Sequence, residues 1–172
     1  MALIIATALI ASVWLQASAL EDRSFDSNGV RIRDVEQGRG PAVVLIHGYT
    51  GNGDRHWVNT GVFAGLAADH RAIAIDCRGH GKSGKPRDPA AYGAEMSRDV
   101  VRLLNHLYIR RARVVGFSMG AEAEAEARDL ESDTPFRSLI VGISPPGPPP
   151  AEAEIRKLQT FLGSATLSDD LR

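Results

Sequence analysis

The chain has 172 residues, 44% of them hydrophobic, and its 20 basic side chains almost balance 21 acidic ones. This composition suits one globular domain with a hydrophobic core, and a net charge of −1 gives no electrostatic footprint for nucleic acid. The only cysteine, Cys77, excludes an internal disulfide and is expected to be a small buried thiol. No group of histidines and cysteines has the spacing of a zinc site.

The start of the chain predicts a targeting segment. Residues 1–20 are apolar, and charged residues begin abruptly at Glu21. Ala17-Ser18-Ala19 fits the small-x-small pattern of a signal-peptidase site, so we interpret residues 1–19 as a signal peptide of an exported, secreted or periplasmic protein. A membrane anchor of the same length is the alternative, because about 18 or more apolar residues can span a bilayer.

The rest of the chain alternates predicted strands and helices. Asn28-Gly29 lies between two extended segments and predicts a hairpin. Apolar runs predict strands, and helical periodicity or propensity predicts helices. The strands are expected at 42–46, 72–75, 113–116 and 139–143, and the helices at 57–68, 94–107 and 121–131. This alternation predicts an α/β fold, a mostly parallel sheet with helices on both faces.

A serine follows the strand expected at 113–116. Gly116, Ser118 and Gly120 form the pattern G-x-S-x-G between that strand and the next helix. A strand that turns this sharply into a helix leaves no room for side chains at the two glycines. The turn strains the serine, lifts its hydroxyl above the sheet edge, and directs the N–H of Met119 to where an oxyanion would form. The pattern therefore predicts a nucleophilic serine.

Three segments in this order resemble the α/β-hydrolase fold superfamily. VVLIHGYTGNG at 43–53 resembles its strand and His-Gly loop, IDCRGHGKSGKP at 75–86 resembles its D-x-R-G-x-G-x-S loop, and VVGFSMG at 114–120 resembles its nucleophile elbow. The resemblance covers residues 24–144 and is closest to single-domain serine lactonases, esterases and non-haem haloperoxidases. It implies that residues 20–144 are the N-terminal part of an α/β-hydrolase core.

The resemblance also implies roles for individual residues. Ser118 would be the catalytic nucleophile, and the backbone N–H groups of Tyr49 and Met119 would form the oxyanion hole, with Gly116 and Gly120 as the elbow glycines. The loops that support this site would contain His47, Gly48, Asp76, Arg78, Gly79, His80 and Gly81.

The histidines do not supply an obvious base. None of the five follows Ser118 in the chain, although in this family an acid and then a histidine follow the serine. We expect His80 to pack and form hydrogen bonds within its loop, and the other three outside the His-Gly motif to face solvent. Those three are His56, His70 and His106.

The position of the missing acid and histidine leads to a further expectation. The chain would be the N-terminal portion of a longer hydrolase, with a Pro-rich linker at 145–150 and the start of a lid at 151–172. Removing a member of a catalytic triad costs about 10⁴-fold in rate, so this chain alone is expected to be inactive or nearly so.

The predicted function is a serine hydrolase that acts on an ester, lactone or related acyl substrate through an acyl-enzyme, without a metal or organic cofactor. The epoxide-cleaving relatives carry a carboxylate at the elbow, so Ser118 favours acyl transfer. Gly81-Lys82-Ser83 is not a nucleotide loop, because Asp76 stands where that loop needs a glycine.

Two other functions stay open. The chain could be a non-catalytic binding or scaffold protein, or one half of a split enzyme completed by a partner chain. The expected partner is a small acyl substrate, not nucleic acid, and not a membrane unless the leader is retained.

Overall fold

The computed structural model describes residues 20–123 and the strand at 136–141. The predicted leader, the Pro-rich linker and the segment 151–172 lie outside the described residues, so those predictions stay predictions. The strands are β1 (Arg23–Ser27), β2 (Val30–Gln37), β3 (Ala42–Ile46), β4 (Arg71–Ile75), β5 (Ala112–Phe117) and β6 (Phe136–Val141). The helical segments are a π-helical turn (Asp54–Val58), α1 (Val62–Leu66), a 3₁₀ turn (Pro89–Ala91) and α2 (Ala94–His106). A further helix begins at residue 119 and is described as far as 123.

The six strands form one sheet in the order β1-β2-β4-β3-β5-β6. β3 pairs in parallel with β4 and β5, and β5 pairs in parallel with β6, whereas β1 and β2 are antiparallel to their neighbours. Ile46 at the end of β3 is in register with Ile75 of β4 and Gly116 of β5. The loops that follow these three strands therefore meet at one sheet edge, where α/β proteins place their sites.

The central strand β3 is buried along its whole length, because helices cover both faces of the sheet. Successive side chains of a strand point to opposite faces. Val44 and Ile46 pack in the core under α2, and Val43 and Leu45 pack in the other core, with the buried side chains of α1 (Val62, Phe63 and Leu66). The predicted α/β sheet with helices on both faces is confirmed.

The hairpin at the start of the domain is confirmed as well. Asn28 and Gly29 have φ angles of 55° and 80°, and the flanking residues Ser27 and Val30 are register partners. Two consecutive positive φ angles are the requirement of a type I′ turn, which matches the twist of the strands that it joins.

The helix predicted at 57–68 is wrong in its bounds. The chain forms the π-helical turn Asp54–Val58 and then, after a break, the shorter α1. Gly61 causes the break by adopting a φ of 81°, and the Thr60 hydroxyl donates a hydrogen bond to the carbonyl oxygen of Trp57 at 2.9 Å. Local apolar periodicity did not reveal this left-handed residue.

The last predicted strand is shifted. It was expected at 139–143, but β6 begins at Phe136 and ends at Val141, because each of its six residues pairs with one residue of β5. The helix predicted at 121–131 begins earlier, at residue 119, and its part beyond 123 lies outside the described residues. Within residues 20–123, no helix is long and apolar enough to cross a membrane.

Candidate active site

Ser118 occupies a strained turn at the end of β5. The strand ends at Phe117 and a helix begins at residue 119, so Ser118 alone makes the change of direction. Its φ is 52°, in the left-handed region that residues other than glycine rarely adopt. The amide of Ala121 donates to the Ser118 carbonyl oxygen at 2.8 Å and closes the first turn after the serine. Non-glycine residues in this region cluster at active sites, where surrounding structure maintains the strain.

The two glycines of the elbow have no space for a side chain. A Cβ atom on Gly116 would lie 2.3 Å from the carbonyl oxygen of Gly120. A Cβ atom on Gly120 would lie 2.4 Å from the carbonyl oxygen of Ile46 and 2.8 Å from that of His47. Gly116 therefore lies against Gly120 across the turn, and Gly120 lies against the end of β3. The elbow and the loop after β3 are thereby brought together.

The loop after β3 is held by His47, which is fully buried. Its Nε2 accepts a hydrogen bond from the Cys77 amide at 3.0 Å, so the ring proton is on Nδ1, which donates to the Gly48 carbonyl oxygen at 2.8 Å. Burial lowers the pKa of His47 to about 4, so the ring is neutral at neutral pH. His47 is a structural link between the ends of β3 and β4.

The Gly48–Tyr49 peptide has a fixed orientation. Its carbonyl oxygen accepts hydrogen bonds from His47 Nδ1 at 2.8 Å and from the Gly51 amide at 3.0 Å. No cis peptide bond occurs in the described part of the chain, so the N–H of Tyr49 points away from that carbonyl. A Cβ atom on Gly48 would lie 2.7 Å from the Phe117 ring, which places this peptide beside the elbow. The Tyr49 side chain itself is 73% exposed.

Asp76, the first residue after β4, joins two loops. Its buried carboxylate accepts hydrogen bonds from the amides of Gly53 and Lys82, each at 2.8 Å. Arg33 of β2 is buried beside it, with Nη1 at 3.4 Å from Asp76 Oδ1. Gly81 has a φ of 48°, and a Cβ atom there would lie 2.1 Å from Asp76 Oδ2. One carboxylate therefore fixes the glycine-rich loop after β3 and the turn after β4.

Arg78 fastens the loop after β4 to α2. Its guanidinium donates two hydrogen bonds to the Asp99 carboxylate, at 2.7 and 2.6 Å, and a third to the Ala91 carbonyl oxygen at 2.6 Å. Both charged side chains are buried, and Asp99 raises the pKa of Arg78. Next to it Gly79 has a φ of 83°, with no room for a Cβ atom beside the Tyr92 ring.

The solvent exposure of two histidines differs from the prediction. His80 packs in its loop as expected, with Nδ1 at 3.0 Å from the Arg78 carbonyl oxygen and its ring 5.1 Å from that of His47. His106 is exposed, as predicted. His56 and His70 do not face solvent: His70 is 5% exposed and bonded to Asp69, and His56 is half-buried beside Gly48.

No histidine within residues 20–123 is hydrogen-bonded to the Ser118 hydroxyl. Burial raises the pKa of the Cys77 thiol above its ordinary value, which leaves it protonated and confirms the buried thiol. In the same described ranges no group of three or more histidine, cysteine or acidic side chains could hold a metal ion. Ser118, unlike the buried Cys77, lies on a strained turn.

Sequence and structure comparisons define the class. The sequence profile of the α/β hydrolase fold family matches residues 41–125, which include the loops after β3 and β4 and the elbow. A solved Vigna radiata epoxide hydrolase mutant superposes with a TM-score of 0.64 at 25% identity, covering 74% of this chain and 39% of that one. The described part of this chain therefore has the α/β-hydrolase fold.

Two curated relatives are similar over the same region. Esterase YbfF of Escherichia coli (strain K12) is 38% identical over 104 residues, which are 60% of this chain. An epoxide hydrolase of Caballeronia sordidicola is 36% identical over 123 residues, which are 70% of this chain. The chain spans 39% of the length of the esterase and 36% of that of the epoxide hydrolase.

Proposed function

We propose that the protein is a serine hydrolase that cleaves an ester, lactone or related acyl substrate through an acyl-enzyme on Ser118. The observation that carries the proposal is the positive φ of Ser118 between β5 and a helix, with glycines on both sides that cannot bear a side chain. In the α/β-hydrolase fold a turn of this kind presents the serine hydroxyl at the sheet edge, close to two backbone amides, and this supports the proposal.

The proposed reaction has two displacements. Ser118 Oγ attacks the acyl carbonyl and gives up its proton to a base, while the amides of Tyr49 and Met119 stabilise the oxyanion. The leaving alcohol takes that proton, and water then attacks the acyl-enzyme and restores the serine. The fixed Gly48–Tyr49 peptide supports the role of Tyr49, because a donor that needs no reorientation stabilises developing charge best.

All five histidines of this sequence lie within residues 20–123 and none follows Ser118, so the imidazole base would come from polypeptide beyond these 172 residues, in a longer chain or in a second one. The buried His47 is an unsuitable base, because both of its ring nitrogens are engaged by backbone groups. His80 is directed to the Arg78 carbonyl oxygen within its own loop. This part of the proposal keeps the split enzyme as an alternative.

Epoxide hydrolysis is the second candidate, because one relative and the superposed structure are called epoxide hydrolases. The resemblance implies a carboxylate nucleophile at the elbow of epoxide-cleaving members, and Ser118 stands at that position here. An alkyl-enzyme ester cannot form on a serine hydroxyl in the same way. Acyl transfer therefore has the stronger support.

A fluorophosphonate probe tests the proposal, because it phosphonylates an activated serine and mimics the tetrahedral intermediate. We expect the 172-residue chain to be labelled at Ser118 about tenfold or more faster than at any other serine. Ser118→Ala should abolish the label found by peptide mass spectrometry, and Ser24→Ala, at an exposed serine on β1, should not. Labelling of Ser118 no faster than Ser24, both in the chain alone and with a polypeptide that supplies the acid and histidine, would instead favour a scaffold protein.

The split-enzyme alternative makes a separate prediction. A second polypeptide that carries the acid and histidine should raise the labelling rate of Ser118 by about 10³-fold or more. The DNA that follows the codon of Arg172 identifies the candidate, since a separate short reading frame with a late histidine would encode it. An in-frame or frameshifted continuation with the same features would favour a single longer enzyme.

A further inference from the structure

His56 contacts a residue near each of the two donors of the proposed oxyanion hole. It belongs to the π-helical turn Asp54–Val58, and its Nδ1 accepts a hydrogen bond from the Gly48 amide at 3.1 Å. Its ring also stands edge-on to the ring of Phe117, with centroids 5.2 Å apart and planes at 87°. Gly48 precedes one proposed oxyanion donor, and Phe117 is two residues before the other.

The His56 ring is tightly enclosed on the loop side. A Cβ atom on Gly51 would lie 2.4 Å from two atoms of this ring, so the glycine leaves the space that the imidazole fills. The Gly51 amide in turn donates to the Gly48 carbonyl oxygen at 3.0 Å. Gly48 is thus held through its N–H by His56 and through its C=O by Gly51 and His47.

We propose that His56 is a positioning residue for the oxyanion hole, which holds the Gly48 amide against the elbow only while its ring is neutral. The proposal rests on the proposed function for the identity of the hole, and on the contacts above for the role of His56. Nδ1 can accept from an amide only when the ring proton is on Nε2. Protonation makes both ring nitrogens donors, so His56 Nδ1–H would face Gly48 N–H and the bond would be lost.

The charged and titratable groups around His56 favour the neutral ring. Burial and the neighbouring Arg55 lower the pKa of His56 from its ordinary value. Its ring also faces that of His47, whose centroid is 6.2 Å away and which is itself neutral. From the loop and β5, His56 meets Gly48, Gly51 and Phe117, none of which titrates. The Gly48 contact is therefore kept at neutral pH and released on acidification.

Two substitutions separate the hydrogen bond from the titration. Asn places its side-chain oxygen where histidine places Nδ1, so His56→Asn keeps an acceptor for Gly48 that cannot be protonated. His56→Leu fills similar space without an acceptor. We would record the Gly48 amide resonance of each ¹⁵N-labelled 172-residue chain by NMR from about pH 8 to about pH 5, around the range where histidines titrate.

In the wild-type chain we expect the Gly48 amide proton to lose its hydrogen-bonded shift as the pH falls, in step with the His56 ring resonances. In His56→Asn the shift should stay constant with pH, and in His56→Leu it should be lost throughout. Resonances of β3 serve as the folding control. A Gly48 shift that is the same in the wild type and in His56→Leu would overturn the proposal.

A second experiment measures the rate at which the fluorophosphonate probe labels Ser118. His56→Leu should slow it by about 10- to 100-fold at neutral pH, because a donor displaced by about 1 Å loses that much rate. His56→Asn should restore most of the rate and remove its acid limb, which a purely structural role would not do. Equal rates in all three proteins would refute the positioning role. If Ser118 is never labelled, the proposed function fails, and the Gly48 titration still decides whether His56 holds the loop.

Discussion

Two loops at the same sheet edge are held by opposite kinds of interaction. The loop after β3 depends on neutral imidazoles, since His47 and His56 bond to the carbonyl oxygen and the amide of Gly48. The loop after β4 depends on full charges, since Asp76 accepts two backbone amides and Arg78 forms a buried pair with Asp99. The proposed oxyanion donor Tyr49 is on the first loop.

Because of this difference, the contacts of the two loops should depend on pH in different ways. Neutral imidazole contacts are lost when the rings are protonated, over a range below the ordinary histidine pKa of about 6.5. A guanidinium keeps its charge at every pH that the fold survives. The Gly53–Asp76 hydrogen bond connects the two loops. Acid should therefore release the His47 and His56 contacts of the loop after β3.

Breaking the buried ion pair should have the largest effect on stability. Arg78→Met leaves the Asp99 carboxylate buried without its guanidinium, and loss of one partner from such a pair costs about 3–5 kcal/mol. Urea denaturation followed by circular dichroism measures this loss in the free energy of unfolding.

The matched control removes both charges. Arg78→Met combined with Asp99→Leu should be more stable than Arg78→Met alone, because no unpaired charge remains buried. If Arg78→Met alone were as stable as the wild type, charge pairing would not hold the loop after β4.

The loop after β3 should show its dependence on pH. The pKa of His47 falls from about 6.5 in the unfolded chain to about 4 in the fold, so acid protonates the unfolded state first. The stability that depends on the neutral ring is complete above about pH 6.5 and is lost as the pH falls towards about 4, which amounts to about 3 kcal/mol.

His47→Gln isolates this contribution from that of other groups. Glutamine can still accept from the Cys77 amide but does not titrate. The variant should be less stable than the wild type at neutral pH, and the difference should shrink as the pH falls. Parallel pH profiles of unfolding free energy for the two proteins would contradict this account.

The exposed ion pair of the loop after β4 should have the smallest effect. Lys82 pairs with Asp22, and their side chains are 56% and 47% exposed. Pairs in solvent contribute about 1 kcal/mol or less, so Lys82→Met should change the free energy of unfolding by no more than that. The same urea experiment measures it, and a loss as large as that of Arg78→Met would show that burial does not distinguish the two pairs.

Much of the fold could be predicted from local patterns. The unbroken apolar run at 42–46 gave β3 with its observed bounds, and Asn28-Gly29 gave the hairpin turn. The strain at Ser118 follows from the glycine spacing, because Gly116 and Gly120 are needed only when the chain turns sharply. These features depend on a few neighbouring residues.

Contacts between distant segments were harder to predict from the sequence. The predictions omitted Arg33, although it is 3% exposed and bonds to Asp22, Asp54 and Asp76. An arginine at a buried position of a strand was the available signal. The predicted solvent exposure of His56 and His70 was wrong because each ring also contacts β5, His56 through Phe117 and His70 through Arg113.

The sequence by itself determined the order of strands and helices, the hairpin and the position of the serine turn, because apolar periodicity and glycine requirements act over short stretches of chain. Only the tertiary structure decided what each histidine does. His47 acquires its role because parallel pairing brings the ends of β3 and β4 to one edge, where the Cys77 amide from the next loop fixes the proton on its ring. His56 bonds to Gly48 within its own connection and meets Phe117 at the end of β5.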